Sequence, residues 1–275
     1  HNLDPLALAA RGSLLPRFLC VSNALPEAAA SVARGNERVL KARLADAEFF
    51  VRADRNVASI DRRSQLQRVT FAEGLGSLLD RTERLEWCTD VLLEQLELSS
   101  SCGSHARRAA HLCKHDLVSQ IVGEFPELQG AMGGKYLVAE GEPHQVGLAV
   151  LEHYLPRGAG DALPSSEAGA VVALAERLEL LLSIYAKGER PTGSSDPYAL
   201  RRAGQGLLQI VWEKGWRLDL LALLQRSCQH WAELLPHYAV DAEKLTSELA
   251  DFLCQRLVNL LEEGGMDLDL VQAVA

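Results

Sequence analysis

The chain turns on one join, HARRAAHLCKHDLVSQIV (105–122) running into GEFPELQGAMGGKYLVAEGE (123–142). The first stretch has helical spacing. At about 100° per residue, Ala109, Leu112, Cys113 and Leu117 share one face, Asp116 falls inside that stripe and His115 lies at its edge. A carboxylate on an apolar face needs a partner, because burying it alone is costly. A metal, a cation or the N-terminus of another helix would serve. The second stretch has a proline and five glycines and is expected to be a long loop. It keeps Phe125, Leu128, Met132 and Tyr136, enough apolar surface to fold back onto a core. A glycine-dense, partly apolar connection of this kind is more often functional than idle.

Outward from the join the pattern is helical. Upstream, Leu14–Ser22 (LLPRFLCVS) reads as a strand or buried turn, and Glu27–Ala53 as two helices interrupted at Gly35-Asn36. Residues 54–64 are polar and Arg-rich, a connection or exposed helix. Residues 65–86 read as a helix broken near Gly74-x-Gly76, and 84–98 as another with Leu85, Cys88, Val91, Leu92 and Leu96 on one stripe. The serines from Ser99 to Ser104 stop that helix and cap the next. Downstream, residues 143–155 form a helix, and Ser165 or Ser166 can cap the next, 167–187. That next helix is apolar on most sides and hence central. GERPTGSSDP (188–197) has the composition of a domain boundary. Helices follow at 197–214, 217–235 and 241–263, with a further start near 267.

At 275 residues, with 48% hydrophobic and 24% charged residues, the chain is long enough for one large or two smaller globular domains. No apolar run approaches the roughly 18 residues of a membrane span. The start, HNLDPLALAARG, lacks the basic and apolar regions of a signal peptide. The absence of an initiator Met suggests a piece of a longer protein, with His1 a tag remnant. Six scattered cysteines without a C-x-x-C pair suit buried thiols in a reducing cytoplasm or organelle stroma. The net charge of −9 argues against general nucleic-acid affinity. The charge is uneven, however: residues 34–84 hold eleven Lys/Arg against eight Asp/Glu, and 239–275 hold two against eight.

Single motifs are weak. His115-Asp116 is the core dipeptide of metal-dependent phosphohydrolases of the HD type, but no His lies between Gln65 and Leu98. The helix at 167–187 offers Glu176 and Glu179 where an Asp would be needed to complete the metal's shell. Cys102, His105, His111, Cys113 and His115 sit on one helix and its cap, not on two zinc knuckles. Gly130-x-x-Gly133-Gly134-Lys135 has neither the spacing nor the strand–loop–helix context of a phosphate loop. Arg201-Arg202 at a helix start could touch phosphate, or be structural with Asp196 or Glu213 as neighbours.

Longer segments say more. GNERVLKARLADAEFF (35–50), GLGSLLDRTERL (74–85), GEFPELQGAMGGKY (123–136), PRGAGDALPSS (156–166) and DPYALRRAGQGLLQI (196–210) together resemble, in order, the β subunit of the bacterial-type, two-subunit glycyl-tRNA synthetase. The resemblance covers most of residues 14–275. It implies a mainly α fold: an HD-like helical bundle, then an all-helical segment, with a short β or irregular piece at the N-terminus. The implied division is 1–60 as the end of a body domain, 61–190 as the HD-like domain, and 191–275 leading to an anticodon-binding domain. In such an enzyme the α subunit holds the class II active site for glycine, ATP and adenylate. The β subunit recognises and positions the glycine tRNA, in an α2β2-type assembly with no membrane partner.

ATP and Mg are therefore implied for the whole enzyme, with no cofactor, metal or catalytic residue in this stretch. Asp80, His115, Asp116 and Glu176 fall at degenerate HD positions. Charge distribution nominates Arg62, Arg63, Arg107, Arg108, Arg201 and Arg202 as tRNA contacts. An HD-type phosphohydrolase and a purely helical assembly scaffold are the alternatives.

Overall fold

The computed structural model describes Leu6, residues 15–158 and 160–266. Among these residues it holds eleven α-helices, and its only strand-like pairing is two isolated bridges, Thr70–Ser77 and Thr192–Ser195. The fold is mainly α. The expected strand or buried turn at 14–22 does not form over its described part. Residues 15–25 are irregular and exposed, with Leu19 and Val21 wholly in solvent. A lone apolar run next to Pro16 has no neighbouring strand to pair with.

The helix α1 (Ala29–Asp54) is unbroken through Gly35. The surrounding Ala, Arg, Glu, Leu and Lys are good helix formers and outweigh the roughly 1 kcal/mol cost of one glycine. A short α2 (Ser59–Gln65) and a one-turn 3-10 helix (Leu66–Arg68) follow. Gly74 and Gly76, both at positive φ, then turn the chain so that the Leu78 N–H donates to Val69 O (2.8 Å). α3 (Leu78–Gln95) starts there with a Ser77/Asp80 capping box and runs as one helix where the sequence suggested two. Ser99 caps α4 (Ser100–Leu112).

The helix expected over 105–122 ends at Leu112. Lys114 adopts the left-handed conformation (φ 65°), a one-turn 3-10 helix covers His115–Val118, and α5 is short (Gln120–Glu124). The expected loop is largely helical too: a 3-10 turn at Pro126–Leu128 leads into α6 (Ala131–Ala139). Its glycines serve packing. A Cβ on Gly147 of α7 (His144–Glu152) would lie 2.9 Å from Gly134 O and 2.7 Å from Val138, so α6 and α7 meet backbone to backbone.

α8 (Glu167–Ala186), capped by Ser166, is the central helix, and only Glu167, Glu176 and Leu180 of its 20 residues escape full burial. Around it pack α3, α4, α7, α9 (Leu200–Lys214), α10 (Leu220–Leu234) and α11 (Ala242–Glu263). One core runs from Ala72 to Leu253, so the turn at 188–197 connects helices without dividing the core. A smaller core joins Ile121, Val122, Met132 and Tyr136 to Phe125 and Leu128, and to Ala47, Phe50 and Val51 of α1. The helix start near 267 lies outside the described residues. No helix among them is long and apolar enough to cross a membrane.

Candidate functional site

The carboxylate on the apolar stripe finds its partner in a helix N-terminus. Asp116 Oδ2 accepts from the Gly130 N–H (2.6 Å) and the Gly133 N–H (3.0 Å) at the start of α6. A negative group there meets unpaired amides and the positive end of the helix dipole. The approach explains two glycines. Gly130 sits at φ +79°, and a Cβ on Gly133 would lie 3.0 Å from Asp116 Cγ. His115, fully buried, points its Nε2 at Gly133 O (3.2 Å), and desolvation lowers its pKa. Its Nδ1 and Asp116 Oδ1 have no hydrogen-bond partner among the described residues. Two atoms do not make a coordination set.

The same device recurs. Asp54 at the end of α1 caps α5, accepting from Gln120 N (2.8 Å), Ile121 N (3.0 Å) and Tyr136 Oη (3.0 Å). Glu140 accepts from the Ser59 amide and hydroxyl at the start of α2. Glu152 holds Ser165 and Ser166 ahead of α8. Asp196 accepts from Leu200 N and Arg201 N at α9. Five carboxylates, three of them buried, thus tie segments to helix starts.

Beside Asp116 lies an ion-pair network. Glu179, wholly buried, accepts from Arg81 Nε (2.7 Å), Arg84 Nε (2.9 Å) and Ser183 Oγ (2.7 Å). Glu176 pairs with Arg81 (2.9 Å) and with Lys114 Nζ (2.9 Å). Burial acts to raise the Glu176 pKa, but Arg81 and Lys114, then His153, outweigh it and hold the group ionised. His153 Nδ1 lies 2.5 Å from Val150 O and Nε2 lies 3.4 Å from Lys114 Nζ. The ring is thus a neutral tautomer that donates through Nδ1 and accepts from lysine. Burial and then Lys114 push its pKa down to about 3. Satisfying this network is what holds Lys114 left-handed, a conformation costing about 1–2 kcal/mol for a residue with a Cβ.

The four degenerate HD positions do not converge on one ion. Asp80 is engaged at Ser77 (Oδ2 to the Ser77 amide, 2.6 Å), Asp116 at the α6 amides, and Glu176 with its two cations. Among the described residues no three His, Cys, Asp or Glu side chains are grouped to share a metal. Cys102 and Cys113 are buried in the core, and the His111 ring sits 3.2 Å from Glu86, so the suspected zinc donors are dispersed.

The six nominated arginines divide. Arg62 is buried (2% exposed), donates to Asp54 O and stacks on Tyr136 at 4.7 Å; it is part of the α1 junction. Arg63 is largely enclosed between His111 O (2.8 Å) and Glu86 (2.5 Å). Arg107 and Arg108 are exposed and paired with Asp90 and Glu142. Arg201 is half-buried and Arg202 exposed. Sequence reasoning missed Lys114, Arg81, Arg84 and Arg177. The available signal was Glu176, Arg177 and Glu179 together on an otherwise apolar helix, which demands buried partners.

A family model described as glycyl-tRNA synthetase beta subunit matches residues 5–275. The chain is 43% identical over 271 residues to the glycine–tRNA ligase beta subunit of Acaryochloris marina, covering 98% of this chain and 38% of that protein. It is 45% identical over 263 residues to that of Gloeothece citriformis (95% and 36%) and 42% identical over 284 residues to that of an Acidovorax species, strain JS42 (97% and 38%). The chain thus spans 38% or less of the length of these relatives. A match over nearly its whole length places this chain in the glycyl-tRNA synthetase beta subunit family.

Proposed function

We propose that this chain is a tRNA-positioning part of a glycine–tRNA ligase β subunit. It supports ATP-dependent glycylation of glycine tRNA by an α subunit in an α2β2-type assembly, in the cytoplasm or an organelle stroma. The observation that carries the reading is the alignment of 98% of the chain with a glycine–tRNA ligase beta subunit. Of the six nominated arginines, Arg107, Arg108 and Arg202 lie on the outside, joined by half-buried Arg201, as candidate phosphate contacts. ATP and Mg belong to the whole enzyme. No reaction step is assigned to this stretch.

A second reading, an assembly scaffold that meets the α subunit without touching RNA, is favoured by one observation. α1 exposes Val39, Leu44 and Phe49, each more than half accessible. The deciding experiment is binding of glycine tRNA and one unrelated tRNA to the chain across a salt titration. Tighter binding of the glycine tRNA that weakens with salt supports recognition here. No binding at low salt supports the scaffold.

A further inference from the structure

A cavity of about 290 Å³ opens between the α7–α8 connection and the start of α9, and its lining is rich in unmatched cations. Arg157, Arg177 and Arg202 all border it, and among the described residues none of the three forms a salt bridge with a carboxylate. Arg177, 6% exposed, donates to the carbonyls of Ala173 and Pro156 (both 2.8 Å). Burial lowers its pKa to about 10, which leaves it charged at neutral pH. Arg157 spends one N–H on Gln129 O (3.0 Å) and holds a longer contact to Glu127 O (3.5 Å). Arg202 spends one on Arg157 O (3.4 Å). Each guanidinium carries five donors, so most of those on Arg157 and Arg202 remain available.

The carboxylate in the lining, Glu176, is already neutralised by Arg81 and Lys114. The cavity is therefore strongly positive in a chain of net charge −9. Guanidinium forks match phosphate oxygens in geometry as well as charge. The space exceeds what one phosphate needs, and the rings of Tyr154 and Tyr198 border it. Aromatic walls beside cations are how proteins hold unpaired bases.

We propose that this cavity is a mononucleotide site. Its phosphate lies on Arg157 and Arg202, its base rests against the tyrosines, and buried Arg177 supplies fixed positive charge at the floor. One chemistry has two sources, an unpaired nucleotide of an RNA chain or a free nucleoside monophosphate. The site stands independently of which tRNA the protein prefers.

The test titrates AMP and, separately, a labelled single-stranded RNA oligonucleotide into the whole chain. The same titrations are run on an Arg157→Gln/Arg202→Gln double variant, and on Arg226→Gln, an exposed arginine paired with Glu94 outside the cavity, as a control. Saturable binding that falls at least tenfold in the double variant and is unchanged in the control is the expected result. Unchanged thermal melting of the double variant would show that the loss is local. RNA binding without AMP binding assigns the site to an RNA chain, and AMP binding that RNA does not compete assigns it to free nucleotide. Binding of neither probe, or binding that survives the double substitution, overturns the site.

Discussion

α1 and α8, of 26 and 20 residues, solve opposite problems. α8 buries all but three of its 20 residues, including Glu179 and Arg177. α1 encloses one residue of 26, Asp54. The buried helix carries ionised groups that survive only because each has a partner with good geometry. The exposed helix leaves Val39, Leu44 and Phe49 largely in solvent, and is fixed through its C-terminal half by Asp54, by the Arg43–Glu124 pair and by Ala47, Phe50 and Val51 in the smaller core. Stability and attachment are thus separate properties here: the bundle depends on a buried ion-pair network, and the arm depends on contacts confined to its C-terminal half.

The largest effect should come from the network. Glu179→Ala strands Arg84 in the core and leaves Arg81 with Glu176 alone, and breaking a buried pair costs about 3–5 kcal/mol. At roughly 2–4 °C per kcal/mol for a chain of this size, melting should fall by about 6–20 °C. A loss below 2 °C would sink the claim that α8 is held by its charges.

Next, Asp54→Ala removes the carboxylate that caps α5, a loss of about 0.5–2 kcal/mol for a helix cap, and its effect should be local. Hydrogen exchange should accelerate across Ala29–Asp54 and α5 while α8 stays protected. Uniform loss of protection would mean that arm and bundle are one cooperative unit.

The third difference is in pH. His153 has a pKa lowered from 6.5 to about 3, so the unfolded state binds its proton first. Stability from this group is therefore complete above about pH 6.5 and lost as pH falls towards 3, with a slope of up to about 1.4 kcal/mol per pH unit. Glu176, also held low, adds loss of the same sign below its ordinary value of 4.5. Urea midpoints between pH 7 and 5 should drop in the wild type and drop less in His153→Gln. Equal slopes would remove His153 from the balance.

The smallest effect is expected on the arm. Phe49→Ser, at a side chain 65% exposed, should shift melting of this chain by about 0.5 kcal/mol or less. A larger shift would show that the arm's apolar face already packs within the chain.

Much of this architecture was legible in the sequence. The central position of α8 followed from its all-round apolarity, a serine cap within 99–104 and another at Ser165 or Ser166 from their placement, and the last three helices from their spacing. The demand that Asp116 find a cation, a metal or a helix start was also correct as chemistry. The answer was hidden because the receiving amides belong to a segment whose glycines read as loop. Glycine density normally signals backbone freedom, whereas Gly133, Gly134 and Gly147 sit inside helices to permit close approach. The break at Lys114 was invisible for a related reason, since no glycine or proline marks it and its cause is Glu176, sixty-two positions away in sequence. Arg62 and Arg63 looked like surface charge because local composition does not reveal that Asp54 O, His111 O and Glu86 will claim them.

The Asp54 clasp has a mechanical consequence. α1 is 26 residues long, about 39 Å at 1.5 Å per residue, and its anchors, from Arg43 to Asp54, all lie in its C-terminal half. Geometrically it is a lever with its fulcrum at the junction with α5 and Tyr136. A rotation of about 10° there would carry the far tip through roughly 7 Å on that length. Whatever binds near Ala29 therefore gains leverage on the α5–α6 corner where the Asp116 cap sits, and a change at that corner is returned, magnified, to the tip.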